Sequence, residues 1–259
     1  MRYRPGYVAL ERALSKLGAA SRSEAQRLIR DRLVSVNGRI VADPLAPVSP
    51  ERDVIVVRGQ RSRRRPWRTI AFHKPRGTLT TRRDPAGRPT VFDLLGAAAT
   101  GLVAVGRLDF ATSGLLLLTN DTRLAEQLTN PANAVIRRYL VTVRGAVSDH
   151  ACLQLEAGTM GLRAARVEIQ KRSRRETHLL VELTEGKNRE IRRLFDAIGH
   201  DVTRLKRIAF GRIELGSLAP GTWREVMKDE LHLDPRSSTL ENHALTLIGR
   251  SRPPTLSQR

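Results

Sequence analysis

Val103-Ala104-Val105-Gly106-Arg107-Leu108-Asp109-Phe110-Ala111-Thr112-Ser113-Gly114-Leu115-Leu116-Leu117-Leu118-Thr119-Asn120 sets two apolar runs on either side of a polar turn. Each run is short enough to be a buried strand; Gly106 and Gly114 mark the edges of the turn, and Arg107, Asp109, Thr112 and Ser113 fill it. A carboxylate at the end of a buried strand sits on rigid backbone and can face a cleft, which suits a nucleophile. An isolated loop aspartate more often bonds the amides of its own turn. The weight given to Asp109 therefore depends on the rest of the chain.

The 259 residues, 40% of them hydrophobic, suffice for one large domain or for a small one joined to a medium one. Lys and Arg number 46 against 26 Asp and Glu, a formal net charge of +20. Such a charge builds a positive field whose commonest partner is a polyphosphate, so nucleic acid comes first and an anionic membrane second. No apolar run approaches the roughly 18 residues of a membrane-spanning helix, which argues against a membrane protein. Met1-Arg2-Tyr3-Arg4-Pro5 lacks the apolar stretch of a secretory signal, and the single cysteine, Cys152, fits a reducing cytosol; a cytoplasmic location is expected. Six scattered histidines without ligand spacing imply no metal site.

Val8, Leu10, Ala13, Leu14 and Leu17 fall at helical spacing, so a helix is expected over 8–20 with Gly18 as its stop. Ser21-Arg22-Ser23-Glu24 reads as a capping box that opens a second helix through Arg30. Leu33 to Val41 alternates across Asn37-Gly38, a strong hairpin signal, and Val54 to Val57 adds a strand. Arg22, Arg27, Arg30, Arg32 and Arg39 cluster on the second helix and hairpin, where guanidinium groups can grip phosphates. A solvated basic face is the plain alternative; the net charge and the compact layout favour RNA. Through Leu14-Ser15-Lys16-Leu17-Gly18, Ala20-Ser21-Arg22-Ser23-Glu24-Ala25, Leu28-Ile29 and Val34-Ser35-Val36-Asn37-Gly38, residues 8–58 look like the S-four RNA-binding domain, named after a ribosomal protein. The resemblance implies that this basic face, Arg22, Arg27 and Arg30 included, docks ribosomal RNA.

Arg58 to Pro66 is dense in positive charge and has no apolar periodicity, so it reads as a linker. The expected division is a small module over 1–59, a basic linker over 60–68, a larger domain over 69–232 and a polar tail over 233–259. In the larger domain Thr69 to Phe72 reads as a strand halted at Lys74-Pro75-Arg76-Gly77, residues 78–89 as an Arg-rich substrate loop, and Thr90 to Leu95 as a short helix. Beyond the central stretch, Asp121 to Thr129 and Ser148 to Ala157 read as helices, and Arg137 to Gly145 as a strand with Tyr139, Val141 and Val143 on one face. Arg163 to Gln170 and Thr177 to Leu183 read as strands, Gly186 to Gly199 as a helix, and Val202 to Leu215 as strand around Gly211. The fold class expected is α+β: a two-helix-plus-hairpin module and a mixed, mostly antiparallel sheet domain.

Gly106-Arg107-Leu108-Asp109 with Thr112 to Asp121 is similar to the catalytic motif of pseudouridine synthases, in the branch that includes RsuA, RluB, RluE and RluF. Lys74 to Gly77, Arg88 to Leu95, Tyr139-Leu140-Val141, Glu185 to Arg193 and Leu205-Lys206-Arg207-Ile208 extend the resemblance over nearly all of residues 8–227. It departs at Thr122, where members often carry glycine, and at Arg138, where lysine often precedes the tyrosine.

The resemblance implies isomerisation of a specific uridine in ribosomal RNA or a ribosomal subunit precursor, with large-subunit RNA slightly preferred; nothing in the sequence demands more than a monomer. Moving a base from nitrogen to carbon involves no redox step and loses no group, so no cofactor is expected. The base must leave its stack to react. Asp109 is implied as the essential carboxylate, attacking the sugar or base or deprotonating the ribose. Arg192 is implied as its ion-pair partner and Tyr139 as the ring that stacks on uracil. Lys74, Arg76, Arg107, Lys187 and Arg189 are assigned to RNA phosphates. A methyltransferase would need a glycine fingerprint that is absent. A non-catalytic ribosome assembly factor is the remaining rival, and the joint presence of Asp109, Tyr139 and Arg192 opposes it.

Overall fold

The computed structural model describes residues 4–62 and 66–231. The small N-terminal module contains β1 (Val8–Ala9), α1 (Leu10–Lys16), α2 (Arg22–Arg30), β2 (Val34–Val36), β3 (Arg39–Ile40), β4 (Pro47–Val48), β5 (Ile55–Val57) and β6 (Gln60–Arg61). Leu10, Leu14, Leu28, Ile29, Val34 and Ile55 form its core, which is why the apolar positions of two helices and a hairpin share one spacing. Ser21 caps α2 by accepting from the Glu24 amide at 3.3 Å. The Asn37-Gly38 hairpin forms with both residues at positive φ, as a tight turn between twisted strands requires.

Two expectations change here. The helix expected over 8–20 is confined to α1, because Val8 and Ala9 pair with Val48 and Pro47. Gln60–Arg61, expected within the linker, returns as β6 on β5, so the module's sheet reaches two residues further than the sequence suggests. Arg68, at the other end of that stretch, is already fixed to the larger domain: its amide donates to Asn120 Oδ1 at 2.9 Å.

The larger domain adds β7 (Thr69–Lys74), α3 (Val91–Leu95), β8 (Val103–Ala104), β9 (Ser113–Thr119), α4 (Thr122–Thr129), β10 (Arg137–Arg144) and α5 (Asp149–Ala157). It continues with β11 (Arg166–Arg172), β12 (Glu176–Leu183), α6 (Glu190–Asp196), β13 (Val202–Phe210), β14 (Ile213–Glu214) and β15 (Trp223–Glu225). Nine strands make one sheet in the order β11-β12-β10-β13-β9-β7-β15, with β14 on β13 and β8 on β9. All pairings are antiparallel except β9 with β13.

The four leucines explain the centre of this sheet. Leu116 and Leu118 face one core with Ile70, Phe72 and Leu179, while Leu115 and Leu117 face another with Ala71, Leu124 and Phe210. A strand covered on both faces has no polar phase, so it reads as a continuous apolar run. The strand expected over 163–170 is shifted to β11, and the helix expected from Gly186 begins only at Glu190. Arg189 stands at φ +48 and keeps residues 186–188 in an open loop. The expected tail over 233–259 lies outside the described residues. Among the described residues no helix is long and apolar enough to cross a membrane.

Candidate active site

β8 and β9 pair across the turn that carries Asp109, and this turn is held almost atom by atom. Thr80 Oγ1 donates to the Leu108 carbonyl at 2.9 Å, the Thr112 amide to the Asp109 carbonyl at 3.0 Å, and the Gly77 amide to the Phe110 carbonyl at 2.8 Å. Arg192 Nη2 donates to the Ala111 carbonyl at 3.3 Å and Lys74 Nζ to the Thr112 carbonyl at 2.8 Å. Every carbonyl from 108 to 112 is thus occupied, and the Lys74-Pro75-Arg76-Gly77 turn supplies part of the scaffold. The half-buried Asp109 carboxylate takes part in none of these bonds and faces a cleft. A bare carboxylate on a fixed backbone is ready for a substrate rather than for its own turn.

The cleft encloses about 350 Å³ and is lined from the turn, from β10 and β13 and from the loop before α6. That volume falls within the ~300–1,000 Å³ usual for small-ligand sites. Tyr139 lines it from β10, 7% exposed, on the inward phase with Val141 and Val143. Arg107 and Arg189 are exposed at its mouth, as is Lys187, whose Nζ is engaged by the Gly161 carbonyl at 3.0 Å and by Glu185 at 2.7 Å. Arg76 is exposed outside the lining, and Arg22, Arg27 and Arg30 are exposed along α2.

Two expected assignments are corrected. Lys74 does not offer itself to a phosphate: it is fully buried, with Nζ spent on the carbonyls of Thr112 and Pro75. Burial lowers its pKa to about 8 against the opposing pull of Asp109. Arg192 does not ion-pair with Asp109. Its Nη1 donates to the Val202 carbonyl at 2.8 Å and its Nη2 to Ala111, so it holds the turn rather than the carboxylate. Burial and the nearby Arg189 lower its pKa, and Asp109 opposes that shift.

Sequence reading missed Arg137, Arg207 and Glu190, all buried and all lining the cleft. Arg137 donates to the carbonyls of Val135, Thr184 and Leu128, stitching the chain around the site. Glu190 accepts from the Lys187 amide at 3.0 Å, and burial raises its pKa. The available signal was a charge on the inward phase of an apolar strand: Arg137 alternates with Tyr139 and Val141, and Arg207 with Leu205 and Ala209.

A carboxylate without a hydrogen-bond partner and a tyrosine share one basic cleft on a mixed sheet, with a small basic module ahead of it, which is the equipment of an enzyme that acts on RNA. Residues 68–197 match the RNA pseudouridylate synthase model and residues 10–55 the S4 domain. The chain is 36% identical to ribosomal large subunit pseudouridine synthase B of Vibrio cholerae, over 96% of this chain and 83% of that one. It is 34% identical to the protein of the same name in Bacillus subtilis, over 86% and 93%. A crystal structure of a pseudouridylate synthase superposes with a TM-score of 0.62 at 27% identity, covering 86% of this chain and 98% of that one. The chain belongs to the RNA pseudouridylate synthase family, and it is an RNA pseudouridine synthase.

Proposed function

We propose that this enzyme isomerises one uridine of large-subunit ribosomal RNA to pseudouridine, with Asp109 as the reacting carboxylate. The observation that carries the reading is the unbonded Asp109 carboxylate in the cleft, on a turn whose carbonyls from 108 to 112 are all engaged. The relatives named as large-subunit enzymes in Vibrio cholerae and Bacillus subtilis support the choice of RNA. Tyr139 stacks on the extruded uracil, and Arg192 and Lys74 act as positioning residues through the backbone of the turn. Arg107 and Arg189 meet phosphates at the mouth, and Arg22, Arg27 and Arg30 dock the RNA at a distance from the reaction. The enzyme works as a monomer in the cytoplasm on ribosomal RNA, free or within an assembling subunit.

Mapping pseudouridines in ribosomal RNA from cells lacking the protein, complemented with wild type or with Asp109→Asn, tests this reading. One large-subunit site is expected to vanish and to return with wild type alone. Loss of a small-subunit site, or of none, contradicts it.

A further inference from the structure

Among the described residues, the buried side-chain polar atoms without a hydrogen-bond partner are Thr112 Oγ1, Arg192 Nε and Arg207 Nη2. All three belong to the Asp109 turn or to groups bonded at its edge. Arg192 is not among the residues that line the cleft, and its terminal nitrogens hold the Val202 and Ala111 carbonyls. Arg207 and Thr112 both line the cleft.

Arg207 is 3% exposed. Its Nε donates to the Leu115 carbonyl at 2.7 Å, and its guanidinium lies 4.9 Å from the Phe210 ring centroid. Arg137 lies 4.7 Å from the same centroid, so two cations flank one ring. No carboxylate forms an ion pair with either among the described residues. Arg137 spends its terminal nitrogens on three carbonyls, whereas Arg207 keeps an unmatched donor. A buried charge with an unmatched donor is costly. The Nε bond ties β13 to β9 and the Phe210 ring meets the guanidinium, which still leaves Nη2 without a partner.

We propose that Arg207 is a catalytic residue: its spare N–H, with the Thr112 hydroxyl, receives a carbonyl oxygen of the extruded uracil and stabilises the negative charge that oxygen acquires. This rests on the reading of Asp109 as the reacting carboxylate. When the C1′–N1 bond breaks, its electron pair stays on N1 and spreads by conjugation to O2 and O4. Asp109 stabilises the sugar side, either by bonding to it or by taking a ribose proton that is later returned. C5 then bonds to C1′, the C5 proton leaves to water, and N1 takes up a proton, so the atoms and charge balance. A guanidinium fixed by its Nε bond and by the Phe210 ring suits such a developing charge, because it is held in place before the charge appears. A backbone phosphate has exposed Arg107 and Arg189 at the mouth and need not reach a residue this deep.

The test compares RNA carrying uridine or 5-fluorouridine at the target, in single-turnover assays with dissociation constants measured alongside. Fluorine stabilises the base anion, so it lessens the need for a group that carries charge. Arg207→Lys is expected to slow uridine conversion by about 100-fold or more, to slow consumption of 5-fluorouridine much less, and to leave binding within about threefold. Thr112→Val removes an unmatched hydroxyl without changing shape, so it keeps or raises Tm and is expected to show the same substrate-dependent slowing, more weakly. Equal slowing on both RNAs, an unchanged rate, or a loss confined to binding overturns the proposal. Should Arg207→Lys fail to fold, Thr112→Val decides by the same criteria. Asp109→Asn is inactive on both RNAs if the underlying reading holds; activity there refutes that reading and not the charge-stabilising role.

Discussion

Lys74 Nζ donates to the Thr112 carbonyl at 2.8 Å, tying β7 to the far end of the turn that presents Asp109. The two residues stand 38 apart in sequence, and the lysine is wholly buried. Its role is therefore to hold the backbone and not to meet RNA.

Lys74→Met keeps the bulk and leaves the Thr112 and Pro75 carbonyls without their donor. It is expected to lower the rate of conversion with little change in RNA affinity, and to alter stability in a pH-dependent way. The folded pKa near 8 lies below the ordinary 10.5. Below pH 8 the lysine is charged in both states, so the cost of burying that charge is present in full. Between about 8 and 10.5 the unfolded chain holds the extra proton, and this group's contribution to stability rises with pH. Relative to Lys74→Met, wild type should gain Tm from pH 7 to 10; parallel curves would refute the assignment.

Gly114 stands where β9 meets β13. A Cβ there would lie 2.1 Å from the Arg207 carbonyl oxygen, at a φ of +108° that disfavours any side chain. Gly114→Ala is expected to cost more than about 3 kcal/mol in chemical denaturation, because backbone must move to make room. A variant of wild-type stability would mean the two strands are not held this closely.

Arg138 pairs at 2.9 Å with Glu182, which is 6% exposed. Arg138→Met strands a buried carboxylate and is expected to cost about 3 kcal/mol in urea unfolding, much of it recovered by adding Glu182→Leu. If the double variant is no more stable than the single one, the loss does not arise from an unpaired charge.

Arg22, Arg27 and Arg30 are exposed on one nine-residue helix. Replacing all three by Ala should reduce the slope of log affinity against log salt by roughly 2 to 3, one counterion's worth per lost phosphate contact. An unchanged slope would remove the small module from the RNA interface.

Much of this molecule was legible in its sequence. Leu115 to Leu118 marked a strand covered on both faces, Asn37-Gly38 a hairpin, and Tyr139 an inward residue of β10. These are local patterns, set by side-chain alternation and by turn conformation. What escaped was carried by backbone carbonyls. Lys74 looked like a cation beside a turn, yet its partner is a carbonyl of a distant segment that no residue type announces. Arg192 looked like a partner for Asp109 and instead grips Ala111 and Val202. Arg207 lay in a recognised motif without a role, because its significance rests on a donor left unmatched after folding.

The role proposed for Asp109 is to perform the isomerisation. It is tested most directly by incubating ribosomal RNA tritiated at C5 of uridine with purified wild type and Asp109→Asn, since forming the new bond at C5 expels that hydrogen. Tritium release by wild type, with none from an Asp109→Asn variant that still binds RNA, is the predicted result. Release by the variant at a rate near wild type would contradict it.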